Sequence, residues 1–202
     1  MKIISIFGSA ADITGMPRMS AGADSAILRQ GDPLFVPDHL GAWDGEICPA
    51  IRICRLGLNI PLKAARSYYD AITAMHILRP ADGNRLTDEA VALIDRAFAP
   101  GLWIPLGSDT ASCKPISLSI DSLGPDGSSD RRSLDFSPES LGADAAIAAL
   151  SKLATVKTGD IIVFRRHSLQ SGPAMRPDST GCFRGLITAS IDGRDCMKLK
   201  IR

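Results

Sequence analysis

The sequence predicts an α+β domain that is mainly β. Three observations indicate this class: short apolar runs recur between turn residues, apolar and polar residues alternate near the carboxyl end, and only three segments have helical spacing. With 202 residues and 45% apolar content, the chain can bury a sizeable core. We therefore expect one domain over residues 1–202.

In the first half of the chain the pattern predicts one strand and two helices. The apolar run at residues 3–7 is too short for the core of a signal peptide and indicates a first strand. A helix is predicted to begin near Pro61, where a fixed φ suits the first turn, with apolar positions at Leu62, Ala65, Tyr69 and Ile72. A second helix is predicted from Thr87 or Asp88 to a point before Pro100, with a stripe of Val91, Ile94 and Phe98.

The second half predicts mainly strands around one further helix. Residues 116–120 alternate, residues 161–164 are an apolar run, and residues 124–132 form a polar loop or hairpin tip. The third helix has Ser137 as N-cap and an apolar stripe of Ala143, Ile147, Leu150 and Ala154. Asp192-Gly193 predicts a tight hairpin before a last strand with Met197, Leu199 and Ile201 on one face.

Composition excludes several classes of function. A net charge of +1, from 23 basic and 22 acidic residues, offers no broad field for nucleic acid or anionic lipid, so neither is an expected partner. No apolar run approaches the roughly 18 residues that a membrane span requires, and we expect a cytoplasmic protein. Five cysteines without a Cys-x-x-Cys pair fit a reducing compartment, and three histidines without a His-x-x-x-His spacing do not support a histidine-rich zinc centre.

Several phrases, in order, resemble short bacterial members of the fumarylacetoacetate hydrolase family. They are Asp24-Ser25-Ala26-Ile27-Leu28, Gly31-Asp32-Pro33-Leu34, Arg52-Ile53-Cys54-Arg55-Leu56-Gly57, Asn59-Ile60, Tyr68-Tyr69-Asp70-Ala71 and Lys157-Thr158-Gly159-Asp160-Ile161-Ile162. The resemblance covers nearly the whole chain. It implies a mixed β-sandwich roll with a few helices, and a dimer.

The resemblance also implies a site for Mg²⁺ or Mn²⁺, which family enzymes hold with a Glu-x-Glu pair on one strand and an aspartate on a neighbouring strand. Oxygen ligands suit these hard ions, and a spacing of two places both carboxylates on one strand face. Held in register, the three ligand positions are Glu46, Cys48 and Ile77. Asp82 matches a supporting aspartate. The family's lysine that contacts substrate becomes Arg96, which keeps the charge but is a poor general base.

Other arrangements of these residues stay open. A two-residue slip would make Asp44 and Glu46 the carboxylate pair, and Cys48 with Glu46 and His76 would favour a softer ion such as zinc. The family's Thr-Gly-Thr-Pro loop is replaced by Phe164-Arg165-Arg166-His167. Arg165, Arg166 and His167, with Arg96 and Arg79, predict either a cationic pocket for a small carboxylate or an exposed basic loop.

Two functional hypotheses follow from the resemblance and the replaced ligands. The first is a divergent paralogue with a degraded active site, a pseudoenzyme with a binding or assembly role as a homodimer or as a heterodimer with an active paralogue. The second is a divalent-metal-dependent hydrolase, decarboxylase or tautomerase of small dicarbonyl acids, with a remodelled site. Sequence patterns for a phosphate-binding loop are absent.

Overall fold

The computed structural model describes residues 1–7, 17–37, 42–81, 84, 86–87, 89–107 and 115–202. The strands of this part of the chain form two sheets, which confirms the α+β, mainly β class. The strands of the larger sheet are β1 (Ile3–Ile6), β2 (Met19–Gly22), β3 (Trp43–Ile53), β4 (Tyr69–Pro80), β5 (Phe98–Pro100), β6 (Ile104–Pro105), β9 (Ile161–Phe164) and β10 (Leu169–Gln170). Those of the smaller sheet are β7 (Ile116–Leu123), β8 (Ser129–Phe136), β11 (Leu186–Ile191) and β12 (Arg194–Lys200).

The larger sheet is mixed, with the order β2-β1-β9-β3-β4-β5. The pairing of β1 with β9 is parallel, and β3 is antiparallel to β4, β9 and β10. β3 and β4 are buried on both faces over most of their length, so their residues are apolar without strict alternation. These two strands carry the predicted metal positions.

The smaller sheet is antiparallel, with the order β12-β11-β7-β8. The predicted hairpin at Asp192-Gly193 is confirmed, and both residues have the positive φ (50° and 73°) that a tight two-residue turn requires. Met197, Leu199 and Ile201 are buried while Lys198 and Lys200 are exposed, as the alternation predicted. Buried side chains of both sheets belong to one hydrophobic cluster.

The third predicted helix begins where predicted but is divided into two shorter helices. Ser137 caps α2 (Pro138–Leu141) in a capping box with Ser140, and Gly142 then adopts φ 68° before α3 (Ala143–Leu153). A left-handed residue suits glycine, which explains why the helix breaks there. α3 contacts α1 (Leu62–Ala65), and the Ser151 hydroxyl accepts a hydrogen bond from Ile60 N.

Of the other two predicted helices, the first is confirmed only in its first part, and the second is wrong in most of its length. The first is limited to α1 and one 3₁₀ turn (Arg66–Tyr68), because Tyr69 already begins β4. In place of the second, the described residues show a 3₁₀ turn at Ala90–Leu93 and strand β5. Phe98 pairs with Ile77 of β4, so sheet pairing overrides the helical spacing of its apolar residues.

Candidate functional site

The three ligand positions implied by the resemblance converge on one face of β3 and β4. The ladder between these strands is regular from Trp43 to Arg52 and places Ile77 directly opposite Glu46. Cys48 lies two residues further along β3 and therefore faces the same side as Glu46. We call this side, with Asp44, Glu46, Cys48 and Ile77, the ligand face.

Glu46 is paired with an arginine. Arg165 directly follows β9, its backbone N–H donates to Ile6 O at 3.0 Å, and its guanidinium Nε donates to Glu46 Oε1. The side chains of Arg165 and Glu46 are only 4% and 7% exposed. The guanidinium carbon also lies 4.8 Å from the centroid of the Phe7 ring. Glu46 thus has its counter-charge within the chain.

Cys48 is a buried thiol beside this pair. Loss of hydration on burial raises the pKa of Cys48 well above its usual value, and the negative charge of Glu46 raises the pKa further. The thiol is therefore protonated at neutral pH, whereas a metal is bound by the thiolate. Cys48 adds no anionic ligand to the ligand face.

Asp44, at the outer end of the ligand face, also lies near an arginine. It stands directly opposite Arg79 in the β3–β4 ladder. With its amide turned to satisfy both groups, Gln170 donates to Asp44 Oδ2 at 3.1 Å and accepts from Arg79 Nη1 at 3.3 Å. The β-bulge between β3 and β4 lies at the Arg52–Ile53 step, where Asp70 is the extra residue of β4. The register from Asp44 to Cys48 is therefore continuous, without the two-residue slip that the sequence analysis considered.

His76 lies on the opposite face and does not join Glu46 and Cys48. A Cβ built on Gly45 would lie 2.5 Å from both His76 Nε2 and Ser171 Oγ, so these two atoms point at the same spot behind the ligand face. Neither ring nitrogen of His76 nor the Ser171 hydroxyl has a hydrogen-bond partner among the described residues. Burial lowers the pKa of His76 to about 3, so the ring is neutral. The zinc set of Cys48, Glu46 and His76 is therefore not assembled.

The remaining predicted site residues are spread over the edge of the site. Arg166 is exposed and His167 is half-buried, with burial and then the charge of Arg166 lowering the pKa of His167. Arg96 is exposed in the turn before β5, with φ 63° and its backbone N–H donating to Ser25 O at 3.0 Å. Asp82 lies outside the described residues. A shared cationic pocket for a carboxylate stays a prediction.

These residues do not fit a hard divalent cation. Mg²⁺ and Mn²⁺ take oxygen ligands, and the three implied ligand positions present one carboxylate bound to arginine, one protonated thiol and one aliphatic side chain. The second carboxylate of the ligand face, Asp44, accepts from Gln170 opposite Arg79. Within the ranges that the structure describes, no group of three or more His, Cys, Asp or Glu side chains could hold a metal ion. The arrangement instead holds a charge pair in an apolar surrounding.

Sequence reasoning did not predict the partner of Arg165. We expected either a pocket for an external carboxylate or an exposed basic loop, whereas the Arg165 side chain turns inward to Glu46, 119 residues away in the chain. One signal could have indicated this contact: a glutamate in the middle of a buried strand requires a counter-charge. Phe7, which packs against the guanidinium, was not predicted.

Comparisons with known proteins support the fold. No protein-family model and no curated protein sequence matches the chain. In the described part of the chain, no helix combines the length and apolar character needed to cross a bilayer. Solved structures do match over the full length of the chain, at low sequence identity.

Three of these structures illustrate the match. A 5-carboxymethyl-2-hydroxymuconate delta-isomerase from Mycobacterium smegmatis is 16% identical, with a TM-score of 0.70 over 99% of this chain and 78% of that one. A Yersinia pestis protein assigned to the fumarylacetoacetate hydrolase family is 13% identical, with a TM-score of 0.70 over 100% and 93%. A fumarylpyruvate hydrolase from Pseudomonas aeruginosa, in complex with Mn²⁺ and pyruvate, is 16% identical, with a TM-score of 0.65 over 99% and 88%. The protein therefore has the fold of fumarylacetoacetate hydrolase family proteins.

Proposed function

We propose that this protein is a non-catalytic member of the fumarylacetoacetate hydrolase family with a binding or assembly role. The observation that carries the proposal is the buried ion pair between Arg165 and Glu46. By resemblance, Glu46 is the one carboxylate left of the three metal ligands, and the guanidinium occupies it. In this proposal the Arg165 guanidinium provides the positive charge beside Glu46 that a metal ion, such as the Mn²⁺ of the fumarylpyruvate hydrolase structure, would otherwise provide.

Electrostatics argue against a metal beside this pair. A divalent cation about 5 Å from a guanidinium would be repelled by roughly 7 kcal/mol at an effective dielectric constant of 20. A normal metal site offsets such costs with several anionic ligands, and here Cys48 is protonated and Ile77 is apolar. If a metal ion displaced Arg165, the guanidinium would lose its buried partner Glu46 and would need water or another partner in its place. Metal binding therefore requires a rearrangement that the packing opposes.

The assembly role rests on what the chain retains. The described residues form both sheets, their shared hydrophobic cluster and the capped helix α2, so the scaffold persists where the ligand chemistry does not. We propose that the scaffold acts as a homodimer or as the partner of an active relative. The second candidate, a metal-dependent enzyme of small dicarbonyl acids, predicts the opposite result in the experiment below.

Calorimetric titration of chelator-treated protein with Mg²⁺, Mn²⁺ and Zn²⁺, with and without oxalate as a small enolate mimic, tests the proposal. We expect no site-specific binding of any of the three ions. Binding of one ion per chain that is lost in Glu46→Gln would overturn the proposal and favour the enzyme. Asp70→Asn is the matched control, because it removes a carboxylate from the exposed side of the same strand pair.

A reconstruction tests the role of Arg165 directly. The triple variant Cys48→Glu, Ile77→Asp and Arg165→Ala places a carboxylate at each of the three implied ligand positions and removes the Arg165 guanidinium. We expect it to bind Mn²⁺, measured as loss of the free Mn²⁺ electron paramagnetic resonance signal and as a rise in melting temperature with added Mn²⁺. The control keeps Arg165 and carries the other two changes. Equal Mn²⁺ affinity in this control would show that Arg165 does not hold the cation position.

A further inference from the structure

A groove of about 780 Å³ opens between Phe35 and Val36, the turn at residues 181–185 and the segment at residues 200–202. None of its lining residues belongs to the ligand face, and neither hypothesis from the sequence uses it. Its volume is within the range of about 300–1,000 Å³ that is usual for small-molecule sites. It is a separate candidate binding site.

The two sides of the groove are held by backbone hydrogen bonds. On one side, Leu34 N donates to Lys200 O at 2.8 Å and Arg202 N donates to Leu34 O at 2.7 Å. On the other, the Asp178 carboxylate accepts from Thr180 N at 2.8 Å and Cys182 N at 3.0 Å, which fixes the turn. A ligand would therefore bind without first ordering these walls, which lowers the entropy that binding costs.

The lining combines apolar and cationic side chains. Phe35, which is 60% exposed, and Phe183 supply apolar surface, and Arg184, Lys200 and Arg202 supply charge. The acidic group nearest to Arg184, Asp178, lies 3.6 Å from its Nε and is already engaged by the turn. A mostly exposed aromatic side chain beside three cationic side chains suits a ligand with an apolar body and an anionic head.

We propose that this groove binds a small amphipathic carboxylate. The aromatic or acyl body of the ligand packs on Phe35 and Phe183, and its carboxylate binds Lys200 and Arg184. A second copy of the chain is a poorer occupant, because two identical grooves would bring their lysines and arginines together. Arg165, which the sequence analysis considered for a carboxylate pocket or an exposed loop, is buried against Glu46, whereas Arg184 and Lys200 are exposed at this groove.

The exposed thiol of Cys182, which lines the groove, makes the test site-specific. The protein is alkylated with iodoacetamide in the presence of 4-phenylbutanoate or of its neutral amide, and each cysteine is followed by peptide mass spectrometry. We expect the carboxylate to slow alkylation of Cys182 at concentrations where the amide does not. Cys54, which is partly exposed and lies outside the groove, serves as the internal reference and should react at an unchanged rate.

Variants then assign the contacts. We expect Arg184→Gln with Lys200→Gln, and separately Phe35→Ser, to weaken calorimetric binding of 4-phenylbutanoate at least tenfold. Lys198→Gln is the matched control, because Lys198 is exposed on the same strand but does not line the groove. Equal protection by the acid and the amide, no protection by either, or unchanged binding in the double variant would each overturn the proposal. So would a dimer that Phe35→Ser converts to monomer in light scattering, because the groove would then be an interface between copies.

Discussion

The two faces of the β3–β4 strand pair treat buried polar groups in opposite ways. On the ligand face, Glu46 is bound by Arg165. On the other face, His76 and Ser171 are fully buried, and their side-chain polar atoms have no partner in the described residues. The difference follows from charge: burying an ionised group without a partner costs far more than burying a neutral one. Burying a neutral imidazole without a hydrogen-bond partner therefore costs this strand pair less free energy than burying an unpaired carboxylate would.

The largest expected effect comes from breaking the charge pair. Arg165→Met removes the guanidinium that binds the buried Glu46 carboxylate, and Glu46→Gln removes the carboxylate that the buried guanidinium binds. Each change should lower the free energy of unfolding by about 3–5 kcal/mol. The double variant should be far less destabilised than the sum of the two, since it removes both charges. Urea unfolding of the four proteins gives the coupling energy as a double-mutant cycle.

The control for this cycle is an exposed ion pair that also involves β3, formed with β4. Arg52 and Asp70 lie 3.1 Å apart with side chains 39% and 47% exposed, so their coupling should be under about 1 kcal/mol. A Glu46–Arg165 coupling no larger than that of Arg52–Asp70 would contradict the contrast between a buried pair and a surface pair.

Lowering the pH should destabilise the folded protein through His76, which lies on the other face of the strand pair. Burial lowers the pKa of His76 to about 3 in the folded protein, while the unfolded chain has the ordinary value near 6.5. Between these pH values the unfolded state binds the proton and the folded state does not, so stability is lost as the pH falls. The loss should reach about 1.4 kcal/mol per pH unit below pH 6.

Urea unfolding from pH 7 to pH 4 measures this dependence, with His76→Leu as the comparison. The variant has no group to titrate at this position, so its unfolding free energy should fall less steeply with acid. Parallel curves for the parent and the variant would mean that the folded protein accepts a proton on His76, and that this face has a hydrogen-bond acceptor for it.

The sequence predicted best those elements whose signal is local. The capping serine Ser137 and the alternation in β12 depend on neighbouring residues, and both are confirmed. The helix predicted from Thr87 or Asp88 to a point before Pro100 failed because Phe98 is fixed by pairing with Ile77, a contact that helical spacing cannot reveal. The first predicted helix stops early for the same reason, because Tyr69 begins a strand that pairs with β3.

In the candidate site, too, contacts between distant segments of the chain were harder to predict than local features. The resemblance placed Glu46, Cys48 and Ile77 together, and the strand register brings them to one face. It did not predict that Arg165 would occupy that face, because this contact depends on how the chain turns after β9. The groove beside β12 was also missed, since its walls come from three distant segments whose separate sequences carry no shared pattern.

A methyl group added at Gly45 should have a smaller effect than either of these charge perturbations. The Cβ of Gly45→Ala would lie 2.5 Å from His76 Nε2 and from Ser171 Oγ, so one or both must shift. We expect a loss of roughly 1–3 kcal/mol in urea unfolding, as for other overpacked positions. Adding His76→Ala should make the Gly45→Ala change less costly, and strictly additive effects would contradict the contact.

The smallest effect should separate two buried serines that lie next to each other. Ser122 Oγ donates to Ser171 O and accepts from Ala174 N at 3.1 Å, so Ser122→Ala should cost about 1 kcal/mol by leaving these groups unsatisfied. Ser171 Oγ has no such partner, and Ser171→Ala should change stability by less than about 0.5 kcal/mol in either direction. Equal costs in urea unfolding would mean that a buried water joins Ser171 to His76, and the second face would then be satisfied like the first.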